Sequence, residues 1–360
     1  MKLMKNLTAR IPRGDVRMRI MLIMLSILLV PALAFAQGDR IGTAAADQVL
    51  VPVGAKGIAL GASNLAGISG ADAIYYNPAG LSASPLSAEV QFSQMELIGD
   101  VGVSYLAITS NFGNFGHLGF TLKSFSFGDI DLTTERQTDG TGAVYSPTFL
   151  ALGVTYSRAL TDRIRAGVNI NLISEQIDRV SQSGVLFDVG VQYSGLAGLR
   201  GLQLGVTLRH LGGNLAYDGP GLYRSVEEVD GKRGQQILQL DAAEFNVPTS
   251  LELGLAYNHM IDPIHAVTVA SSFENNNFLN DLYRVGVEYS YQDLLFLRGS
   301  YTVSGNSEDD AFGENGFIYG PAFGAGVKYA AGTTQLRVDY AYRALEVFSG
   351  NHVFTIGVGF

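Results

Sequence analysis

Cysteine and tryptophan are both absent from this chain of 360 residues. The lack of cysteine excludes disulfides, thiolate metal sites and a lipidated N-terminal cysteine. The lack of tryptophan means that any aromatic ring at a membrane surface must consist of tyrosine and phenylalanine, of which the chain has 17 and 19. No cofactor that needs a thiolate ligand is therefore expected.

Charge is also scarce, because only 16% of the residues are Asp, Glu, Lys or Arg, against about 25% in an average protein. The acidic residues outnumber the basic ones by 33 to 24, which disfavours a nucleic-acid partner because phosphate binding relies on an excess of Lys and Arg. Glycine, in contrast, is abundant at 44 residues. The length fits one large domain or two ordinary ones.

The N-terminus has the features of an export signal. Six basic residues precede an apolar run over residues 20–33, and Ala34-Phe35-Ala36 follows as a small-x-small cleavage pattern. The run is shorter than the roughly 20 residues that a membrane-spanning helix needs. Residues 1–36 are therefore predicted to be a cleaved signal peptide, with an uncleaved anchor as the alternative.

From Ser87 onward, apolar side chains alternate with small or polar ones, which is the pattern of strands with two unlike faces. Each segment has about ten residues, the length of a tilted membrane strand. The sequence predicts about fourteen strands, an even number, near residues 87–97, 101–111, 117–128, 148–160, 163–176, 185–196, 202–211, 249–260, 265–274, 282–291, 294–303, 317–330, 335–344 and 353–360.

The connections that follow even-numbered strands are tight, and several of those that follow odd-numbered strands are long, namely residues 129–147, 212–248 and 304–316. Short turns on one side and long loops on the other are typical of outer-membrane barrels. Residues 87–360 are therefore predicted to form an all-β, antiparallel transmembrane β-barrel in the outer membrane, with the long loops outside the cell. Six tyrosines near the ends of alternate strands would form an inner interfacial ring: Tyr156, Tyr193, Tyr257, Tyr289, Tyr291 and Tyr329.

The last strand has an apolar face made of Phe354, Ile356, Val358 and Phe360. A soluble protein rarely ends on such an exposed apolar edge, whereas a closed barrel pairs its last strand with its first. These residues resemble the signal that the outer-membrane assembly machinery recognises. The alternative is the final strand of an ordinary soluble sandwich.

Charged side chains fall on the faces opposite the apolar ones. A basic residue facing lipid near the midplane would cost roughly 2–4 kcal/mol, so these faces are expected to line a polar lumen. The predicted lumen network comprises Arg165, Asp188, Arg209, Glu252, Glu288, Arg337 and Asp339. The simpler alternative is that these residues are only the solvated inner face of the barrel and contact no specific substrate.

No catalytic or metal-binding pattern emerges, and the chain is predicted to be a non-enzymatic protein without a cofactor or a metal. The five histidines lack metal-ligand spacing, and neither a nucleophile elbow nor a phosphate-binding loop is present. Acidic residues cluster in one predicted external loop, as Glu308, Asp309, Asp310 and Glu314. Calcium binding there is the alternative to a plain solvated loop.

Residues 41–86 do not look like strand and are rich in small residues, so this segment can pack tightly inside another structure. The stretch Asn77-Pro78-Ala79-Gly80 reads as a turn, because Pro fixes φ and Asn favours turn starts.

Two stretches of this segment carry a resemblance to a known family. They are Gly54-Ala-Lys-Gly-Ile-Ala-Leu-Gly-Ala62 and Asp72-Ala-Ile-Tyr-Tyr-Asn-Pro-Ala-Gly-Leu81. They resemble the N-terminal hatch of the FadL superfamily of outer-membrane barrels. The aromatic pair Tyr75-Tyr76 and the later stretches 183–193 and 247–257 are most similar to the PorV/PorQ group.

The resemblance implies a barrel of fourteen strands plugged by its N-terminal segment, residues 37–86. It also implies that the hatch residues Asn77, Pro78, Ala79 and Gly80 gate passage; the alternative is that they only make a turn that fits the plug. In the PorV/PorQ group it implies a component of type IX protein secretion or surface attachment, with secreted cargo proteins as partners. The FadL branch implies the alternative of a passive transporter of hydrophobic small molecules, such as long-chain fatty acids, with exit into the membrane through a strand kink. A structural barrel without transport is a third possibility.

Overall fold

The computed structural model describes residues 42–226, 236–305, 318–346 and 348–360. The predicted signal peptide and the acidic cluster at residues 308–314 lie outside these described residues. Within them, no helix has both the length and the apolar composition that crossing a membrane requires.

The described residues contain eighteen strands. They are β1 Ala88–Glu96, β2 Gly102–Asn111, β3 His117–Ser126, β4 Ile130–Asp131, β5 Val144–Tyr145, β6 Thr148–Ala159, β7 Ile164–Ile177, β8 Val180–Ser194, β9 Leu202–Gly212, β10 Tyr223–Val226, β11 Gln236–Gln239, β12 Ser250–Met260, β13 His265–Asn276, β14 Leu282–Tyr291, β15 Leu295–Ser304, β16 Tyr319–Ala331, β17 Thr334–Leu345 and β18 Asn351–Gly359.

Fourteen of these described strands close into one antiparallel barrel, in the order β1-β18-β17-β16-β15-β14-β13-β12-β9-β8-β7-β6-β3-β2. The predicted fold class is therefore confirmed. The remaining four strands form two small hairpins, β4–β5 and β10–β11, within loops that the sequence predicted as long connections.

The barrel strands begin and end within two residues of their predicted bounds, except for the start of β8. This strand begins at Val180 instead of residue 185, and it pairs with β7 up to the register pair Ile177↔Val180. The additional residue pairs place Ser181 and Ser183 on the exposed face of β8. A strand that continues past the lipid no longer needs apolar alternation, so the pattern that marked the other strands is missing here.

An apolar belt surrounds the barrel. Outward side chains of β18 illustrate it, because Phe354 and Ile356 are 57% and 51% exposed while their neighbours Val353 and Thr355 are buried. Comparable residues lie on every side of the barrel, among them Phe92, Ile108, Phe120, Leu152, Leu172, Val189, Leu253, Val287, Leu297, Phe323 and Val338. An apolar surface of this extent needs lipid to cover it, as in the closed barrels of the outer membrane.

The two ends of the barrel differ. At one end the strands are joined by short connections, such as residues 261–264 and 292–294. The other end has the long connections 127–147 and 213–249 beside short ones such as 178–179. The predicted tyrosines lie close to the short connections: Tyr257 is in register with Leu202, and Tyr291 with His265. Which end faces the cell exterior stays a prediction.

Residues 42–86 contact the inward side of the barrel wall, for example from Ala55 to Thr355 of β18 and from Asn77 to Val191 of β8. They are called the plug; that they block passage stays a prediction. The plug contains two short helices, α1 Ala55–Ala59 and α2 Ala73–Tyr76, and three-ten turns at 47–50, 70–72 and 78–83. Ala55, Ala59, Ala71 and Ala79 are each 0% exposed. The small residues that marked this segment therefore let it pack closely against the wall.

Glycines of the wall make room for the plug. A side chain at Gly190 would place its Cβ 2.1 Å from Asn77 Oδ1, and one at Gly167 would lie 2.4 Å from the Pro78 backbone. Such distances are far below van der Waals contact, so only glycine fits at these two positions. Part of the glycine abundance thus serves the contact between wall and plug.

The closing pair of the barrel is β1–β18, with a continuous register from Glu89↔Gly359 to Glu96↔His352. Phe360 extends this ladder by one residue: its N–H donates to Ala88 O at 2.9 Å, and its carbonyl accepts from Ser87 N at 2.6 Å. Its side chain is 52% exposed on the outer surface.

Deletion of Phe360 is expected to lower the amount of assembled barrel, because it removes both of these backbone hydrogen bonds at the closing pair and the terminal aromatic residue of the predicted assembly signal. The measurement is the folded fraction in outer membranes, read as the fast-migrating band in unheated gels. The matched control is Phe323→Ala, which truncates an equally exposed outward phenylalanine in β16. Wild-type levels for the deletion would contradict the assembly role.

Candidate functional site

A cavity of about 40 Å³ lies between the plug and the wall. The plug contributes Val49, Ile74 and Tyr75, and strands β2, β3 and β6–β9 contribute the rest of the lining: Tyr105, Thr121, Lys123, Ala151, Asn169, Asn171, Ile173, Leu186, Asp188, Arg209 and His210. The lining therefore joins apolar and aromatic side chains with two basic residues and a group of amides.

Lys123 of β3 holds the plug at the edge of this cavity. Its Nζ donates to the backbone carbonyls of Gln48 at 2.9 Å, Val49 at 3.3 Å and Val51 at 2.6 Å. Among the described residues it makes no salt bridge, so carbonyl dipoles rather than a carboxylate compensate its charge. A cation near the end of the three-ten turn at 47–50 also matches the negative end of that turn.

Tyr75 lies between two cations. Its ring centroid is 5.1 Å from Lys123 Nζ and 4.3 Å from the guanidinium carbon of Arg209. Both distances are within the range of cation–π attraction. The Tyr75 hydroxyl donates to Leu50 O at 2.9 Å, so the ring is fixed in place by the plug itself.

A β-bulge reshapes the wall beside the cavity. In the β8–β9 ladder, Phe187 pairs with Leu211 and Val189 with Leu208, so Arg209 and His210 together face Asp188. His210 has a φ of 55°, and its backbone N–H donates to Asp188 Oδ1 at 2.7 Å. The bulge thereby turns two consecutive side chains into the lumen.

His210 is a lining residue that strict alternation misses. With period two, only Arg209 faces inward, yet Arg209 and His210 are 6% and 4% exposed. The signal for a bulge was present in the sequence, since an Arg-His pair interrupts the alternating run of β9 after Leu208. Two adjacent polar residues at the end of such a run can both point inward only if the ladder shifts.

Several buried polar atoms around the cavity have no partner within the described part of the chain. They are the Tyr105 hydroxyl, His210 Nδ1 and Arg209 Nε. Buried polar groups are nearly always hydrogen-bonded, and water or a ligand supplies the partner where protein does not. The cavity can therefore accept a small polar group among its apolar walls.

Part of the predicted lumen network forms a cluster beside the cavity. Arg209 Nη1 lies 2.7 Å from Glu252 Oε1, and Arg284 Nη1 lies 3.6 Å from Glu252 Oε2. Arg284 also pairs with Glu274. Asp188, in contrast, is held by amides, since Asn169 and Asn171 donate to its Oδ2 at 2.9 and 2.8 Å.

A second cluster crosses from the wall to the plug. Arg298 lies 2.6 Å from Glu288 and 2.5 Å from Asp339, and Arg337 lies 3.0 Å from Asp339 and 2.8 Å from Asp72. Sequence reasoning did not single out Asp72 as a charged partner. Burial alone would raise the pKa of the Asp72 carboxyl, but the charges of Arg337 and Lys56 outweigh it and hold that pKa below its ordinary value.

Arg165 stands apart from both clusters. It lies at the start of β7, near the short connections, and its guanidinium donates to Ser194 Oγ at 3.3 Å. The predicted network is thus two separate clusters, with Arg165 and the amide-bound Asp188 outside them. In the described part of the chain, no three His, Asp or Glu side chains are arranged to hold a metal ion.

The predicted hatch turn is anchored to β6–β8. Asn77 Nδ2 donates to Leu65 O at 3.0 Å and to Val191 O at 3.2 Å, while its Oδ1 accepts from Ala79 N at 3.2 Å. Ser157 Oγ donates to Ala79 O at 2.9 Å. Asn77 therefore caps the three-ten turn at 78–83 and ties it to the wall; a gating role stays a prediction.

Comparison with known protein families finds no match, and neither does comparison with curated proteins. Three similar solved structures are the toluene transporter TodX of Pseudomonas putida, a FadL homologue of Pseudomonas aeruginosa and the KdgM porin. TodX is 12% identical with a TM-score of 0.48, covering 83% of this chain and 96% of TodX.

The FadL homologue is 11% identical with a TM-score of 0.49, covering 86% of this chain and 98% of the homologue. KdgM is 9% identical with a TM-score of 0.31, covering 75% and 96%. At these values the comparisons record a likeness and decide nothing about function. The architecture is established by the strand pairing of the chain itself.

Replacing His210 by glycine is expected to leave the barrel more stable than replacing it by alanine, by about 1 kcal/mol, because a positive φ is unfavourable for a residue with a Cβ. The measurement is the free energy of unfolding by urea in detergent micelles. At the neighbouring extended position, Leu208→Gly and Leu208→Ala should show the opposite order. An alanine variant as stable as the glycine variant at 210 would contradict the strained bulge.

Proposed function

We propose that this chain is a passive channel for small molecules with a largely apolar body, which pass between the plug and the wall formed by β3 and β6–β9. The observation that carries the proposal is the cavity beside Tyr75. It combines aromatic and aliphatic walls with a few fixed polar groups, which is the composition of small-molecule sites.

The cavity in its present form matches a closed channel. A volume of about 40 Å³ is far below the roughly 150 Å³ of an apolar cavity that binds benzene. An aromatic hydrocarbon or an acyl chain is larger than the present volume. Passage therefore requires the plug residues Val49, Ile74 and Tyr75 to move away from the wall.

The bulge at Asp188 supports an exit toward lipid. Bulges interrupt the ladder and often lie beside functional sites, and this one lies in the wall of the cavity. An apolar molecule that leaves between β8 and β9 enters hydrocarbon directly and avoids water. TodX is described as a toluene transporter and a monoaromatic hydrocarbon channel; its similarity is too low to bear on this choice.

The role in type IX secretion or surface attachment, which the resemblance to the PorV/PorQ group implies, stays a prediction. Nothing in the described residues favours a cargo-binding role over a channel. Recovery of secreted cargo proteins with this chain from solubilised outer membranes would support that role, whereas recovery of bound apolar ligand alone would favour the channel.

Ile173→Trp is expected to reduce uptake of apolar probes at least tenfold. Ile173 is 4% exposed and lines the cavity, so the larger ring fills the proposed path. The measurement is the rate at which whole cells that carry equal amounts of folded barrel in the outer membrane take up toluene and oleate.

The matched control is Leu172→Trp, one residue earlier on the same strand. Leu172 is 53% exposed on the outer surface, so its variant should transport at the wild-type rate. The folded fraction of both variants is checked, because overpacking costs about 1–3 kcal/mol. Equal uptake by the two variants, each fully folded, would contradict the proposed path.

A further inference from the structure

Three consecutive strands at the closing seam are joined from the inside. The seam consists of β1, β18 and β17, in which Gln91, Gly357 and Arg337 lie in one register row. Gly357 has no side chain, so the row is open at its centre. Arg337 Nη2 reaches across β18 and donates to Gln91 Oε1 at 2.7 Å.

A single plug carboxylate completes this row. Asp72 Oδ1 accepts from Gln91 Nε2 at 2.9 Å, and Asp72 Oδ2 lies 2.8 Å from Arg337 Nη2. Asp72 is 4% exposed. One buried carboxylate thus binds β1 and β17, the strands on either side of β18.

Two backbone groups of the plug bind the same seam on either side of that row. Ala71 N donates to Glu89 Oε2 of β1 at 2.9 Å, and Ala55 N donates to Thr355 Oγ1 of β18 at 2.8 Å. The Thr355 hydroxyl in turn donates to Ser93 Oγ of β1 at 3.0 Å. Every strand of the seam therefore has a direct or one-step hydrogen bond to the plug.

The pairing of β1 with β18 needs this stabilisation more than the other strand pairs do. Contacts between β1 and β18 join residues far apart in sequence, and 262 positions separate Ser93 from Thr355. The entropy lost in bringing chain segments together grows with the length of the loop between them, and such pairings form slowly. The plug is contiguous with β1, so it can present Asp72 to β17 and β18 as they arrive.

We propose that the plug is an internal staple of the closing seam, with Asp72 as its positioning residue, and that this role is separate from transport. A plug that served only as a stopper could leave the lumen without loosening the barrel. A staple cannot be weakened without loosening β1 and β18.

The test is Asp72→Asn in the full-length barrel, which keeps the shape of the side chain and removes its charge. Amide hydrogen exchange in β1 and β18 is expected to rise at least tenfold, with unchanged exchange in β6 and β7, and the melting temperature of the barrel should fall by several degrees. The matched control is Glu252→Gln, a carboxylate that is also buried and paired with arginine but belongs to β12. This variant should leave exchange at the seam unchanged.

A cross-link separates the staple from other effects of the substitution. The chain has no cysteine, so Ser93→Cys with Thr355→Cys can form one disulfide across the seam, where the two hydroxyl oxygens are 3.0 Å apart. In the oxidised double variant, Asp72→Asn should no longer change the melting temperature. If Asp72→Asn alone does not assemble, the cross-link should restore folding.

Two results would overturn the proposal. One is an Asp72→Asn barrel that transports faster while exchange at β1 and β18 stays at the wild-type rate. The other is an equal loss of stability from Asp72→Asn with and without the cross-link. Transport of toluene and oleate is measured in parallel, so failure of the staple and failure of the channel are distinguishable.

Discussion

Closure of the sheet on itself, through the pairing of β1 with β18, is the constraint from which the other features follow. An unpaired strand edge in hydrocarbon would leave several backbone groups without partners, at several kcal/mol each. Once the edge is paired, the alternation of side chains determines whether each residue of the wall faces outward or inward. One set meets lipid, and the other set meets a lumen that must be filled.

Filling the lumen explains the composition of the plug and of the wall. Fourteen strands enclose more space than their own inward side chains occupy, and the remainder is taken by residues 42–86. Close packing then requires small residues on one side and glycine on the other, as Ala79 and Gly167 show. Part of the abundance of glycine in the composition serves this contact.

The buried charges obey the same constraint. A guanidinium facing the lumen has little water around it once the plug is in place, so it must find a carboxylate or an aromatic face. Arg298 and Arg337 pair with acids of the wall and plug, while Arg209 uses Glu252 and the ring of Tyr75. The scarcity of charge in the chain and its pairing in two clusters are consequences of one low-dielectric interior.

The wall could be predicted from sequence because its rules are local. Period-two alternation and loop length depend on neighbouring residues, and they fail only where the rules change, as at the lipid-free start of β8 or the bulge at His210. The interior could not be predicted in this way. Arg337 and Gln91 are 246 positions apart, and their contact depends on which strands close the barrel and on the missing side chain at Gly357.

The plug is bound differently at the closing seam and beside the cavity, and this difference constrains where it can separate from the wall. On the seam side, Asp72, Ala71 and Ala55 bind β1 and β18 through buried hydrogen bonds, and Asp72 also forms an ion pair with Arg337 of β17. Beside the cavity, Lys123 holds the plug through carbonyl oxygens, and Asn77 and Ser157 bind the hatch turn to β8 and β6. Breaking the bonds of Asp72 at the seam leaves a buried charge without its partner. Separating plug and wall at the cavity leaves polar groups that water or a ligand can satisfy.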